Sequence, residues 1–91
     1  MAIEVRIPTI LRSYTGGEKS VEGKGETLGG LFDDLEGRHP GLRERLIGAD
    51  GTLNRFVNVY ANDEDVRFLG SLETVLADGD TVTILPAVAG G

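Results

Sequence analysis

The chain has no cysteine and no tryptophan, and only one histidine and three prolines in 91 residues. The absence of cysteine excludes disulfides, thiolate metal sites and a cysteine nucleophile together. The lone His39 has neither a nucleophile partner nor metal-ligand spacing, and its place beside Pro40 gives it a helix-end role. Basic residues are few, nine against fifteen acidic, for a formal charge of −6. That balance argues against nucleic acid or an anionic membrane as the main partner, since both demand a basic face. It suits steering toward basic partner surfaces. No apolar run approaches a membrane span, and Met1-Ala2-Ile3 leads directly into patterned sequence without a signal-peptide pattern. A cytoplasmic location is therefore expected. Glycine is plentiful (14 residues), but neither Gly16-Gly17 nor Gly29-Gly30 belongs to a G-x-x-x-x-G-K-[ST] phosphate loop.

What is present reads as one small domain. Ile3, Val5 and Ile7 alternate with Glu4 and Arg6, the pattern of a half-buried strand, and Pro8 marks an irregularity at its end. Thr15-Gly16-Gly17 signals a turn, and residues 19–22 return as a second strand. Thr27 is a good N-cap for a helix over residues 28–36, with Leu28, Leu31, Phe32 and Leu35 on one stripe. Gly37 is expected just past its end, and Pro40 blocks continuation. Small residues at Gly29 and Gly30 suit close approach of helix to sheet. Asp33, Asp34 and Glu36 lie off the stripe and read as a solvated face. Residues 42–46 can add a short helical turn.

Val57, Val59 and Ala61 alternate with Phe56, Asn58 and Tyr60 in a third strand, turned by Asn62-Asp63. Residues 65–67 are expected as a short fourth strand, with Leu69, Leu72 and Leu76 as an irregular anchor. Asp63, Glu64 and Asp65 at this turn bear on solubility more than on a metal. After Asp78-Gly79-Asp80, residues 81–85 form the last strand, and Pro86 ends it. A hairpin, a covering helix and a final central strand make an α+β, β-grasp (ubiquitin-like) arrangement: a mixed sheet covered by one main helix. The expected core is Ile3, Val5, Ile7, Leu28, Leu31, Phe32, Leu35, Val57, Val59, Val82 and Ile84.

Beyond the domain, expected over residues 1–86, stand Ala87, Val88, Ala89, Gly90 and Gly91. Two glycines lack Cβ atoms and can enter a narrow channel in any backbone conformation. Five extended residues reach roughly 16 Å, at about 3.3 Å each. This is the build of a flexible arm that delivers a terminal carboxylate into another protein's active site, with residues 87–90 threading the channel. Near it, Phe56, Tyr60 and Leu85 fall on the sheet face opposite the core and form a candidate partner-binding patch.

Ala61-Asn62-Asp63-Glu64, Asp78-Gly79-Asp80-Thr81-Val82 and the ending Leu85 to Gly91 together resemble the ubiquitin-like sulfur carriers of the ThiS/MoaD family. The opening Ile7-Pro8-Thr9-Ile10-Leu11-Arg12 and the segment from Val57 to Phe68 resemble the branch that supplies sulfur for cysteine synthesis. The resemblance covers essentially the whole chain. It implies a protein co-substrate rather than an enzyme. Gly91 would be adenylated by an E1-like (MoeB/ThiF-type) partner using ATP, then converted to a thiocarboxylate. The thiocarboxylate would pass its sulfur to an acceptor such as a cysteine synthase dependent on pyridoxal phosphate, and a zinc metallopeptidase would release the product. The chain itself is expected to bind no metal or cofactor. With no cysteine available, the sulfur must sit on the terminal carboxyl. Two alternatives stay open, a ubiquitin-like modifier of lysines and the small subunit of molybdopterin synthase.

Overall fold

The structure is a computed structural model that describes residues 2–86. Five strands form one sheet in the order β2-β1-β5-β3-β4, with β1 Ile3–Arg6, β2 Ser20–Gly23, β3 Val57–Ala61, β4 Glu64–Asp65 and β5 Thr81–Pro86. The chain's first and last strands lie side by side and parallel, with Val5 opposite Val82; all other pairs are antiparallel. One face of the sheet is covered by α1 Leu28–Arg38 and α2 Leu42–Leu46. This is the β-grasp arrangement.

The eleven residues expected in the core are all buried, and α1 places Leu28, Leu31, Phe32 and Leu35 in it with no exposed surface. Thr27 caps the helix by accepting from the Gly30 N–H at 3.2 Å. The helix runs two residues past the expected end. Gly37 lies inside it, and His39 is the cap, its N–H donating to the Leu35 carbonyl at 2.7 Å. Pro40 sets this boundary, because a residue before proline is driven out of the helical region.

The glycines that admit the helix are different from those expected. A Cβ on Gly25 would lie 2.4 Å from the Leu31 backbone nitrogen, and one on Gly23 would lie 2.5 Å from Leu31 Cδ1. One on Gly29 would meet only Leu72, its carbonyl at 3.3 Å and its Cβ at 3.6 Å. Close approach therefore depends on the end of β2 and the link after it.

Between β1 and β2, residues Thr9–Thr15 form a 3-10 segment that buries Leu11, an element the turn signal did not reveal. It ends at Gly16 and Gly17, both at positive φ. The second strand lies one residue later than expected. The fourth is shortened to Glu64–Asp65, since Val66 turns into a 3-10 helix over Val66–Phe68 and is buried there. Of the expected anchor residues only Leu76 is fully buried; Leu72 packs partly and Leu69 is exposed.

The carboxylates of α1 are staples rather than a merely solvated face. Asp33 pairs with Arg43 at 2.6 Å. Asp34 accepts from the Lys24 N–H and from Arg38, both at 2.8 Å. Glu36 accepts from the N–H groups of Gly41 and Arg43 and thereby caps α2.

Candidate functional site

The site is organised by β5, which lies between β1 and β3 and leads from a fixed end at Thr81 to Pro86. Two loops hold the fixed end. Asn62 and Asp63 take φ values of 50° and 73°, the paired left-handed geometry of a tight hairpin, which asparagine and aspartate tolerate. Asn62 brackets β5, its Oδ1 accepting from the Thr81 N–H at 3.0 Å and its own N–H donating to the Thr81 carbonyl at 2.8 Å. In the second loop, Gly79 at φ 89° lets the chain reverse. Asp78 accepts from the Ala2 N–H at 2.6 Å, and Asp80 from the Ala77 N–H at 2.8 Å. The Ala77 N–H, and after it the Asn62 amide, hold the Asp80 carboxyl below the ordinary carboxylate range. These two loops are the motifs Asn62-Asp63 and Asp78-Gly79-Asp80, and their work is scaffolding.

At the other end, alternation along β5 buries Val82 and Ile84 and turns Thr83 and Leu85 outward. Tyr60 stands opposite Thr83, and Asn58 opposite Leu85, so Tyr60 and Leu85 are diagonal neighbours on the outer face. Leu85 is 45% exposed, and Tyr60 is half-buried. Phe56 is 60% exposed but precedes β3 and lines a separate depression with Ile10 and Tyr14. The structure thus joins two of the three expected patch residues directly and sets the third at the margin. Exposure alone does not select this surface, because Phe68 and Val75, between β4 and β5, are exposed by 87% and 80%. What distinguishes Leu85 is its position one residue before Pro86. Gly91 and the threading residues Ala87, Val88, Ala89 and Gly90 lie outside the described residues.

Sequence reasoning missed an open groove of about 560 Å³ beside the end of β5. Ile7, Pro8 and Ile10 line one side and Leu85 and Pro86 the other, with Arg6, Arg12 and Lys19 among them. Arg12 is half-buried, and its Nε donates to the Ile7 carbonyl at 3.2 Å. No sequence signal marks these cations as a set: β1, the 3-10 segment and the approach to β2 bring them together. Arg67 has a different task. It donates to the carbonyls of Asn54 and Val57 and to Asn58 Oδ1, closing the part of the β3 edge that short β4 leaves uncovered. Among the described residues, no helix is long and apolar enough to cross a membrane.

Comparison with known proteins agrees with this architecture. The ThiS family matches residues 5–91. The sulfur carrier protein CysO of Mycobacterium tuberculosis is 60% identical over 93 residues, an alignment that takes in 100% of both chains. Small archaeal modifier protein 3 of Haloferax volcanii is 37% identical, again over 100% of both chains. Among solved structures, the Amycolatopsis orientalis BexX/CysO complex contains a chain that superposes with a TM-score of 0.92 at 62% identity, covering 99% of this chain and 100% of that one. The motifs at Asn62-Asp63 and Asp78-Gly79-Asp80, the central β5 and the matched span through residue 91 agree: the chain belongs to the ThiS family.

Proposed function

We propose that this chain is a sulfur carrier protein that serves cysteine synthesis, with the Gly91 carboxylate as the group that bears sulfur. The observation that carries the reading is the 60% identity to CysO along the whole of both chains. Within that alignment β5 is the last element described, and Gly90-Gly91 follow it after three small residues.

A carboxylate is a poor electrophile, so the chemistry divides between this chain and its partners. An E1-like enzyme transfers AMP from ATP to the Gly91 carboxylate, with loss of pyrophosphate. A sulfide donor attacks the acyl carbonyl, AMP leaves, and a thiocarboxylate remains. That anion is a soft nucleophile, and it attacks an activated substrate in the sulfur-accepting enzyme. The hard steps belong to the partners and their cofactors. This chain contributes a terminus without side chains, set on a strand anchored at its far end, and the surface of Tyr60 and Leu85 that positions it. That such carriers enter stable assemblies is supported by the solved complex of a CysO with BexX.

A second reading, a modifier conjugated to lysines, is favoured by the full-length likeness to small archaeal modifier protein 3. Both readings begin with adenylation. Incubation with the cognate adenylating enzyme, ATP and sulfide separates them. A carrier shows one oxygen replaced by sulfur in the intact mass, whereas a modifier shows lysine adducts in the presence of acceptor proteins.

A further inference from the structure

The groove beside the end of β5 has a charge opposite to that of the molecule. The chain carries −6 overall, yet the groove presents Arg6, Arg12 and Lys19 against the single carboxylate of Glu4. Glu4 is 3.8 Å from Arg6, an exposed and weak pair that leaves the other two cations unneutralised. Arg12 is the best organised of the three. Its Nε is committed to the Ile7 carbonyl, and its side chain is half-buried against the groove wall. Among the described residues its two terminal nitrogens have neither a hydrogen-bond partner nor a carboxylate within ion-pair distance. Elsewhere in the fold Arg38 is paired with Asp34 and Arg67 is held by three oxygens, while Arg43 and Arg45 are each held at Nε, by Asp33 and by Tyr14, and Arg55 lies over the Phe56 ring. A guanidinium held at one nitrogen and open at the other two is arranged to receive a carboxylate in the two-pronged manner, at little further cost in side-chain freedom. Aliphatic walls from Ile7, Pro8, Ile10, Leu85 and Pro86 frame it, so the segment that fits combines apolar side chains with an aspartate or glutamate.

We propose that this groove docks an acidic, partly apolar segment of the adenylating enzyme that receives the tail, with Arg12 as its anchor. The inference rests on the sulfur-carrier reading and adds to it a charged contact that adjoins the Tyr60 and Leu85 patch, with Leu85 shared between the two. The groove begins where β5 ends, so a partner gripping it also fixes the point from which the chain continues toward Gly91. It further accounts for how an acidic carrier can bind through a local patch of opposite sign, which orients the encounter.

The test is the steady-state adenylation of the full chain by its cognate enzyme, followed by ATP–pyrophosphate exchange at several salt concentrations. Arg12→Gln should raise KM for the carrier about tenfold, leave kcat unchanged and flatten the salt dependence. Arg12→Glu should be worse, and Arg12→Lys should recover only part of the loss, because an ammonium cannot form the two-pronged contact. Lys19→Gln and Arg6→Gln should raise KM in the same direction without touching the Ile7 carbonyl, so a folding defect at Arg12 cannot mimic the whole series. Lys24→Gln, which removes an equal charge outside the groove, should leave KM as it was. Wild-type KM in the Arg12, Arg6 and Lys19 variants, or an equal rise in Lys24→Gln, would overturn the proposal while leaving the carrier reading intact. Failure of the wild-type chain to be adenylated would instead remove the carrier reading and the groove's role with it. In a chain lacking residues 90 and 91, Arg12→Gln should still weaken binding to the enzyme. Loss of the effect in that chain would assign Arg12 to the terminal carboxylate and reject the docking role.

Discussion

A single methyl group added at either Gly23 or Gly25 would disturb the seat of α1 on the sheet, but not equally. At Gly25 an added Cβ faces backbone atoms, Leu31 N at 2.4 Å and Leu31 Cα at 2.8 Å, so the first turn of the helix must move. At Gly23 it faces side-chain atoms only, Leu31 Cδ1 at 2.5 Å and Leu35 Cδ2 at 3.0 Å, whose adjustment does not require the helix backbone to move. Gly25→Ala is therefore expected to cost about 1–3 kcal/mol in chemical denaturation, and Gly23→Ala distinctly less. Equal losses would show that side-chain adjustment is no easier than helix movement here. Leu35, fully buried, should lose roughly 2–5 kcal/mol on truncation to alanine. A loss below about 1 kcal/mol would contradict its place in the core. The helix stripe predicts Leu35 at once, because periodicity reports burial. It says nothing of Gly25, whose constraint comes from a neighbour brought near by tertiary folding.

Between elements, the carboxylates on α1 make the joints. Asp34 is held below its ordinary value of 3.8 chiefly by Arg38 and then by the Lys24 N–H. Glu36 is held below 4.5 by the N–H groups of Gly41 and Arg43. In both cases the unfolded chain binds its proton first as pH falls. The stabilisation is therefore complete above the ordinary carboxylate range and is lost as pH drops through the depressed folded values. Thermal unfolding from neutral to acidic pH should show this loss, and Asp34→Asn should lower the neutral-pH midpoint while flattening the acid limb. A parallel curve for Asp34→Asn would mean that Asp34 does not couple folding to protons. The succession of strands along the chain and the main helix were legible from alternation, capping and turn residues. The 3-10 segment Thr9–Thr15 was not, since its one fully buried apolar side chain, Leu11, gives no period to read. Nor was the role of Asp33, Asp34 and Glu36, because a residue off the apolar stripe looks solvated until its partner on another element is known. Asn62 belongs to the same scale. Asn62→Ala removes the acceptor for the Thr81 N–H and places alanine at φ 50°, for an expected loss of about 1–3 kcal/mol by denaturation. Asn62→Gly should recover the part due to backbone strain.

For the molecule as a whole, the division of labour follows the length of β5. Two of the motifs that carry the family resemblance lie at its Thr81 end and fix the strand; the group proposed to bear sulfur, the Gly91 carboxylate, follows in sequence beyond Pro86. The outward positions of Tyr60 and Leu85 were readable from strand alternation, whereas the groove around Arg12 was not, because its cations come from separate segments. Tyr60→Ala and Leu85→Ala should weaken binding to the adenylating enzyme or the sulfur acceptor with the fold retained, and unchanged binding to both would remove them from the site. The most direct measurement is intact mass after incubation with the adenylating enzyme, ATP and sulfide, made on the full chain, on a chain lacking Gly90 and Gly91, and on a chain extended by one residue. The full chain should gain the mass of one sulfur in place of one oxygen, localised to Gly91 by fragmentation. The other two should gain nothing while melting at nearly the same temperature as the full chain. Sulfur acceptance by either altered chain would contradict the assignment of Gly91 and, with no cysteine to take its place, the carrier function itself.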